Sequence, residues 1–135
     1  MNKLISVFLL SSSLNVMAEV AVVVHPSSTV TLDQDEIAKI YLGKTKSFAN
    51  GNKIDIASLG DGDPITSEFN EKVLKKSSSQ VNAYWSKLVF TGKGTPPQKV
   101  DNSAAMINFV ASTENAIGFI DANKVTDGVK VIAKF

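Results

Sequence analysis

Apolar and polar positions alternate along the chain with periods that change from segment to segment. Val20-Ala21-Val22-Val23-Val24 is an unbroken apolar run, ended by His25-Pro26, and reads as a strand buried on both faces of the kind found in parallel sheets. Thr31 is placed to cap a helix, with Asp33, Asp35 and Glu36 in its first turn, where negative charge suits the dipole. Ile37, Ile40 and Tyr41 form the apolar stripe of that helix, and Gly43 stops it. After an Asn50-Gly51 turn, Lys53 to Leu59 alternates around Ile54 and Ile56 as a second strand. Asp63 then caps a helix that has Pro64 in its first position and Ile65, Phe69 and Val73 on one face, with Leu74 beside it. Ser77 to Ser79 recaps the chain for a third helix carrying Val81, Tyr84, Trp85, Leu88 and Val89. Gly92, Gly94 and Pro96-Pro97 predict a rigid extended loop, and Asn102 caps a fourth helix with Ala105, Met106, Phe109 and Val110. Strands follow at Ala116 to Ile120 and, after an Asp127-Gly128 turn, at Val129 to Ile132. The order is strand, helix, strand, three helices, strand, strand: one α/β domain with a mixed sheet of about four strands flanked by helices.

The N-terminal segment stands apart. Lys3 precedes an apolar run from Leu4 to Leu10, Ser11 to Asn15 is polar, and Val16-Met17-Ala18 puts small residues where a signal peptidase reads them. The apolar stretch is well short of the roughly 20 residues that span a bilayer. Residues 1–18 are therefore expected to be a Sec leader cleaved before Glu19, delivering residues 19–135 to the periplasm.

Composition narrows the chemistry. The sequence has 135 residues, 44% of them hydrophobic and 20% charged, with no cysteine, one histidine and fourteen lysines but no arginine. Disulfide scaffolds and thiolate metal sites are excluded, and neither a metal nor a cofactor is expected. Without the leader, thirteen lysines balance thirteen acids, so no concentrated basic face is expected for nucleic acid. Arginine, the usual bidentate clamp for phosphate, is missing altogether.

Catalysis finds no constellation. His25 has no nucleophile motif to serve, there is no G-x-S-x-G elbow, P-loop or G-x-G-x-x-G, and an enzyme is not expected. The carboxylate pairs Asp33/Asp35 and Asp61/Asp63 lack the continuation of a calcium loop and read as helix caps. The most informative stretch is Gly60 to Ser67. A glycine turn between a strand and a helix is where backbone N–H groups hold anions, with Gly60 and Gly62 in the turn and Ser58, Thr66 and Ser67 as hydroxyl donors. Asp61 and Asp63 place negative charge at the same spot and Pro64 removes one N–H, so architecture and side chains pull in opposite directions. His25, Ser27 and Ser28, at the end of the first strand, are expected to line the same pocket, since ligands bind at strand ends in open α/β sheets. Tyr84, Trp85 and Phe90 read as core, and Lys93 as a solvated loop lysine.

Several segments together resemble the phosphate-binding proteins of phosphate ABC transporters. They are Asp35-Glu36-Ile37-Ala38-Lys39-Ile40-Tyr41-Leu42-Gly43-Lys44, Phe69-Asn70-Glu71-Lys72-Val73-Leu74, Ala116-Ile117-Gly118-Phe119-Ile120 and, most specifically, Trp85-Ser86-Lys87-Leu88-Val89-Phe90-Thr91-Gly92-Lys93-Gly94-Thr95-Pro96-Pro97. The resemblance implies a single lobe of a type 2 periplasmic-binding-protein fold. It also implies phosphate or another small anion as ligand, an ABC permease or another periplasmic or membrane protein as partner, and a homodimer as one way to close the cleft. In that family a Ser-Gly-Thr element, often followed by arginine, grips the anion ahead of the helix phenylalanine. Aligned on Phe69, those positions here are Asp63, Pro64, Ile65 and Thr66. All four depart from the motif, which leaves a protein-interaction module that kept the fold as the alternative function.

Overall fold

A computed structural model describes residues 18–135; the expected leader, apart from Ala18, lies outside the described residues. The elements are β1 (Val20–Val24), α1 (Gln34–Tyr41), β2 (Asp55–Leu59), α2 (Pro64–Phe69), α3 (Ser78–Phe90), β3 (Gln98–Val100), α4 (Ser103–Ala111), β4 (Ala116–Asp121) and β5 (Lys130–Lys134). A π-helical turn at Asn70–Leu74 extends α2, and a 3-10 turn at Ala122–Lys124 follows β4. The strands form one mixed sheet in the order β3-β2-β4-β1-β5.

The sheet departs from expectation in two ways. It has five strands, because Gln98–Val100, within the stretch read as loop, pairs in parallel with β2. And β1, fully buried as its Val-rich run demands, runs antiparallel to both neighbours, β4 and β5. A continuous apolar run reports burial on two faces, which layers on both sides of the sheet provide here without parallel pairing.

Successive residues of β4 show the two layers. Phe119 faces α1 and α2, stacking on Phe69 with ring centroids 4.1 Å apart, while Tyr41 packs edge-on against Phe69 at 4.6 Å. Gly118 points the other way, toward α4, where an added Cβ would lie 2.4 Å from the Met106 sulfur. Alternation along a strand makes this division obligatory.

The caps are mostly where polar residues announce them. Asp63, Ser77 and Asn102 each accept a backbone N–H from the first turn of their helix. In α1 the cap is Asp33 rather than Thr31: its carboxylate accepts the Glu36 N–H at 2.8 Å, and the Glu36 carboxylate returns to the Asp33 N–H at 3.4 Å, forming a capping box. The wider π-helical turn after α2 lets the consecutive side chains Val73 and Leu74 both bury.

Gly43, after α1, has φ +72°, and a Cβ there would come within 2.9 Å of the Trp85 ring. Gly51 has φ +87° and open space around it. Gly43→Ala and Gly51→Ala should each cost about 1–2 kcal/mol for the left-handed backbone. Gly43→Ala should cost a further ~1 kcal/mol for the displaced indole. Urea denaturation of both variants, with Trp85 fluorescence as the probe, checks the difference; equal losses would show that the ring is not in the way.

Candidate functional site

The site begins where β2 ends. Leu59 leads into a tight turn, closed by the Asp63 N–H on the Gly60 carbonyl at 3.1 Å, and α2 starts at Pro64. Ser58, Gly60, Gly62, Thr66 and Ser67 therefore gather as expected. Several of the donors there, however, are already committed. The Ile65 N–H goes to the Asp63 carboxylate at 2.9 Å and the Thr66 N–H to the Asp63 carbonyl at 3.0 Å. The Thr66 hydroxyl meets the Gly60 carbonyl at 2.7 Å and the Ser58 hydroxyl meets the Leu59 carbonyl at 2.9 Å. A carbonyl oxygen can only accept, so in both contacts the hydroxyl proton is spent on the protein backbone. Ser67 lies 3.5 Å from the Ser78 hydroxyl, which also receives the Asn70 amide. Asp61 pairs with Lys99 of β3, both about half exposed, so the pair contributes little to stability.

His25, Ser27 and Ser28 lie elsewhere. β1 runs antiparallel to β4, with Val24 opposite Ile117, and β2 runs parallel to β4, with Asp55 opposite Ala116. The C-terminal end of β1 thus sits at the N-terminal end of β2, across the sheet from the Gly60 turn. The pocket expected to join these residues is divided between two ends of the sheet, because the parallel arrangement that would have joined them is absent. At its own end, His25 Nδ1 accepts the Ser27 N–H at 3.1 Å and lies 2.7 Å from the Ser27 hydroxyl. Accepting at Nδ1 assigns the neutral ring's proton to Nε2. Lys130 donates to the Ser28 carbonyl at 3.0 Å.

Beside the Gly60 turn opens a cavity of about 570 Å³ between α2, α3 and the approach to β3. The aromatic cluster of Tyr41, Phe69 and Phe119 forms its floor, Val81, Trp85 and Val89 one wall, and Pro96 and Pro97 another. Tyr41 is structural here: its hydroxyl donates to the Ala57 carbonyl at 2.8 Å, and burial pushes its pKa well above the usual phenol value. The buried polar side chains of the cavity are Ser58, Thr66 and Asn70, with Asp61 and Lys99 at its rim.

Reading α3 as core missed this cavity. Phe90 is 92% exposed and Val89 52%. The signal was present in the helical phase, since Phe90 falls about 140° round the helix from Trp85 at 100° per residue. An apolar residue so far off the stripe has no place in the core.

Across Trp85 lies a second cavity, of about 580 Å³, lined by Lys44, Lys46, Lys53 and Lys93, with Asp55 as its one acidic residue. Positive charge therefore collects away from the Gly60 turn, where Asp61 and Asp63 stand. Lys93, read as a solvated loop residue, is exposed at this cavity's edge.

No protein-family model matches the sequence, and a search of curated proteins finds no match. Solved structures do match. A phosphate ABC transporter substrate-binding protein from Clostridium perfringens, with bound phosphate, superimposes with a TM-score of 0.68 at 23% identity over 85% of this chain and 45% of that one. An ABC-type phosphate transport receptor from Vibrio cholerae gives 0.66 at 21% identity, over 85% and 46%. PstS from Borrelia burgdorferi gives 0.63 at 15% identity, over 86% and 47%. The chain thus spans less than half the length of these proteins, and its fold is that of a part of the substrate-binding proteins of phosphate ABC transporters.

Proposed function

We propose that this chain is an exported solute-binding protein, acting in the periplasm after loss of residues 1–18, that holds its ligand non-covalently in the cavity beside the Gly60–Ser67 turn. The observation that carries this reading is the conjunction of a phosphate-receptor fold with a largely apolar cavity opening on the turn that follows β2. Phosphate itself is a poor fit to that turn. The Ile65 and Thr66 N–H groups and the Ser58 and Thr66 hydroxyls are used internally, and two carboxylates stand at the turn. The likeness to binding proteins and the lack of a nucleophile–base pair at the cavity both support a non-enzymatic role.

Isothermal titration with inorganic phosphate tests the anion part. Little or no heat at millimolar phosphate is expected, since a single lobe encloses one side of a ligand and this one offers few free donors. Micromolar affinity would overturn the assignment of a degenerate phosphate site.

A second reading is favoured by the exposure of Val89 and Phe90. A lobe with apolar side chains at its cavity mouth suits contact with another protein, such as a permease, or with a second copy. Sizing chromatography with a Phe90→Ser variant separates the two: an assembly lost on substitution supports interaction, and a monomer in both forms supports solute binding.

A further inference from the structure

The direction of two hydroxyl protons identifies the chemistry that the cavity accepts, on the reading that this cavity is where solute binds. Ser58 and Thr66 are 8% and 3% exposed and belong to its buried polar lining. Each gives its only proton to a backbone carbonyl, at 2.9 and 2.7 Å. What each retains is lone pairs, so toward a bound molecule both act as acceptors. Asp61 at the rim adds a carboxylate, again an acceptor, and occupies the Lys99 ammonium that would otherwise welcome an anion. The remaining polar side chains of α3 at the cavity, Asn82 and Ser86, are exposed to solvent and solvated with or without a ligand. Asn70, 6% exposed, also lines it and gives one amide N–H to the Ser78 hydroxyl; with an acceptor and a second N–H left over, it favours neither a donor nor an acceptor. The rest of the lining is aromatic or aliphatic.

We infer that the cavity takes a compact apolar molecule carrying one hydrogen-bond donor, an aryl or alicyclic alcohol or amine, and rejects the corresponding carboxylate. The polarity is the reverse of an anion site: a donor finds Ser58, Thr66 and Asp61 complementary, whereas a carboxylate meets three sets of lone pairs, one of them charged. The volume, about 570 Å³, falls within the range of small-molecule sites and holds a two-ring molecule.

The test uses one ring system with three head groups: 4-phenylbenzyl alcohol, 4-phenylbenzylamine and 4-phenylbenzoate. Trp85 is the sole tryptophan and lines the cavity, so its indole N–H resonance is a single reporter of occupancy. Saturable shifts of that resonance are expected with the alcohol and the amine, at affinities at least about tenfold above that of the benzoate. Asp61→Asn, on an exposed side chain, should weaken the amine and strengthen the benzoate by releasing Lys99. Benzoate binding as well as or better than the amine would overturn the assigned ligand class while leaving solute binding in place. If none of the three probes moves the resonance, the ligand class fails; an assembly that Phe90→Ser abolishes would then overturn solute binding as well, and a monomer in both forms would leave it standing.

Discussion

Replacing Phe119 by alanine is expected to destabilise the protein by about 3–5 kcal/mol, the range for emptying a buried aromatic site. Against a total of about 5–15 kcal/mol for a domain of ordinary stability, that is a large fraction of the whole. The reason is position. Phe119 is fully buried on β4, the strand between β2 and β1, and stacks on Phe69, which holds Tyr41 edge-on. Removing its ring takes a partner from both of the other aromatics at once. It also takes part of the cavity floor, so the space left behind opens into the cavity beside the Gly60 turn. Urea denaturation measures the loss. Phe119→Leu, which keeps most of the volume, should lose clearly less. Equal midpoints for wild type and Phe119→Ala would mean that the aromatic cluster does not hold α1 and α2 to the sheet.

The paired substitution Asp63→Ser with Pro64→Gly is expected to raise phosphate affinity by about ten- to a hundredfold. Asp63 places a carboxylate at the turn and Pro64 withholds an N–H; the pair of changes removes the repulsion and adds two donors. The expected rise corresponds to one of the two donors reaching full strength: a hydrogen bond to a charged group contributes about 1.5–3 kcal/mol, and each 1.4 kcal/mol is a factor of ten. A serine hydroxyl still caps α2, so the helix start is preserved, while glycine at the first helical position costs about 1 kcal/mol of stability. Titration calorimetry of wild type and variant at the same ionic strength reads the change. An unaltered, negligible heat would show that the donors at this turn are not what phosphate recognition lacks here, and would turn attention to the missing arginine at Thr66.

Local features of this fold were legible because their causes are local. Asp63-Pro64, Ser77 and Asn102 start helices through side chains that reach only two or three residues ahead. Even the misplaced cap of α1 had its signal on view, as Asp33 precedes Glu36 by three residues, the spacing of a capping box. Non-local features were not legible. β3 is three residues long, two of them exposed, and follows two prolines; its strand character exists only by pairing with β2. The direction of β1 leaves no mark in a run of valines, and that direction decides whether His25 meets the Gly60 turn. The candidate site was half legible for the same reason. Residue types at the turn show which donors exist, but whether a hydroxyl is free depends on which carbonyl lies within reach.

The neighbours of β1 have a consequence for when the molecule can acquire its structure. Val22 pairs with Phe119 on one side and with Ala133 on the other, so the first strand of the chain has both its partners in the last quarter. Contacts this distant in sequence form slowly, because a long loop must close before they return any energy. β1 therefore stays unpaired until β4 and β5 are available, and it cannot be locked in place by the segments that immediately follow it. On the proposed export, with the N-terminal end threaded first through a translocation pore, this topology postpones the pairing of β1 until β4 and β5 have emerged on the far side.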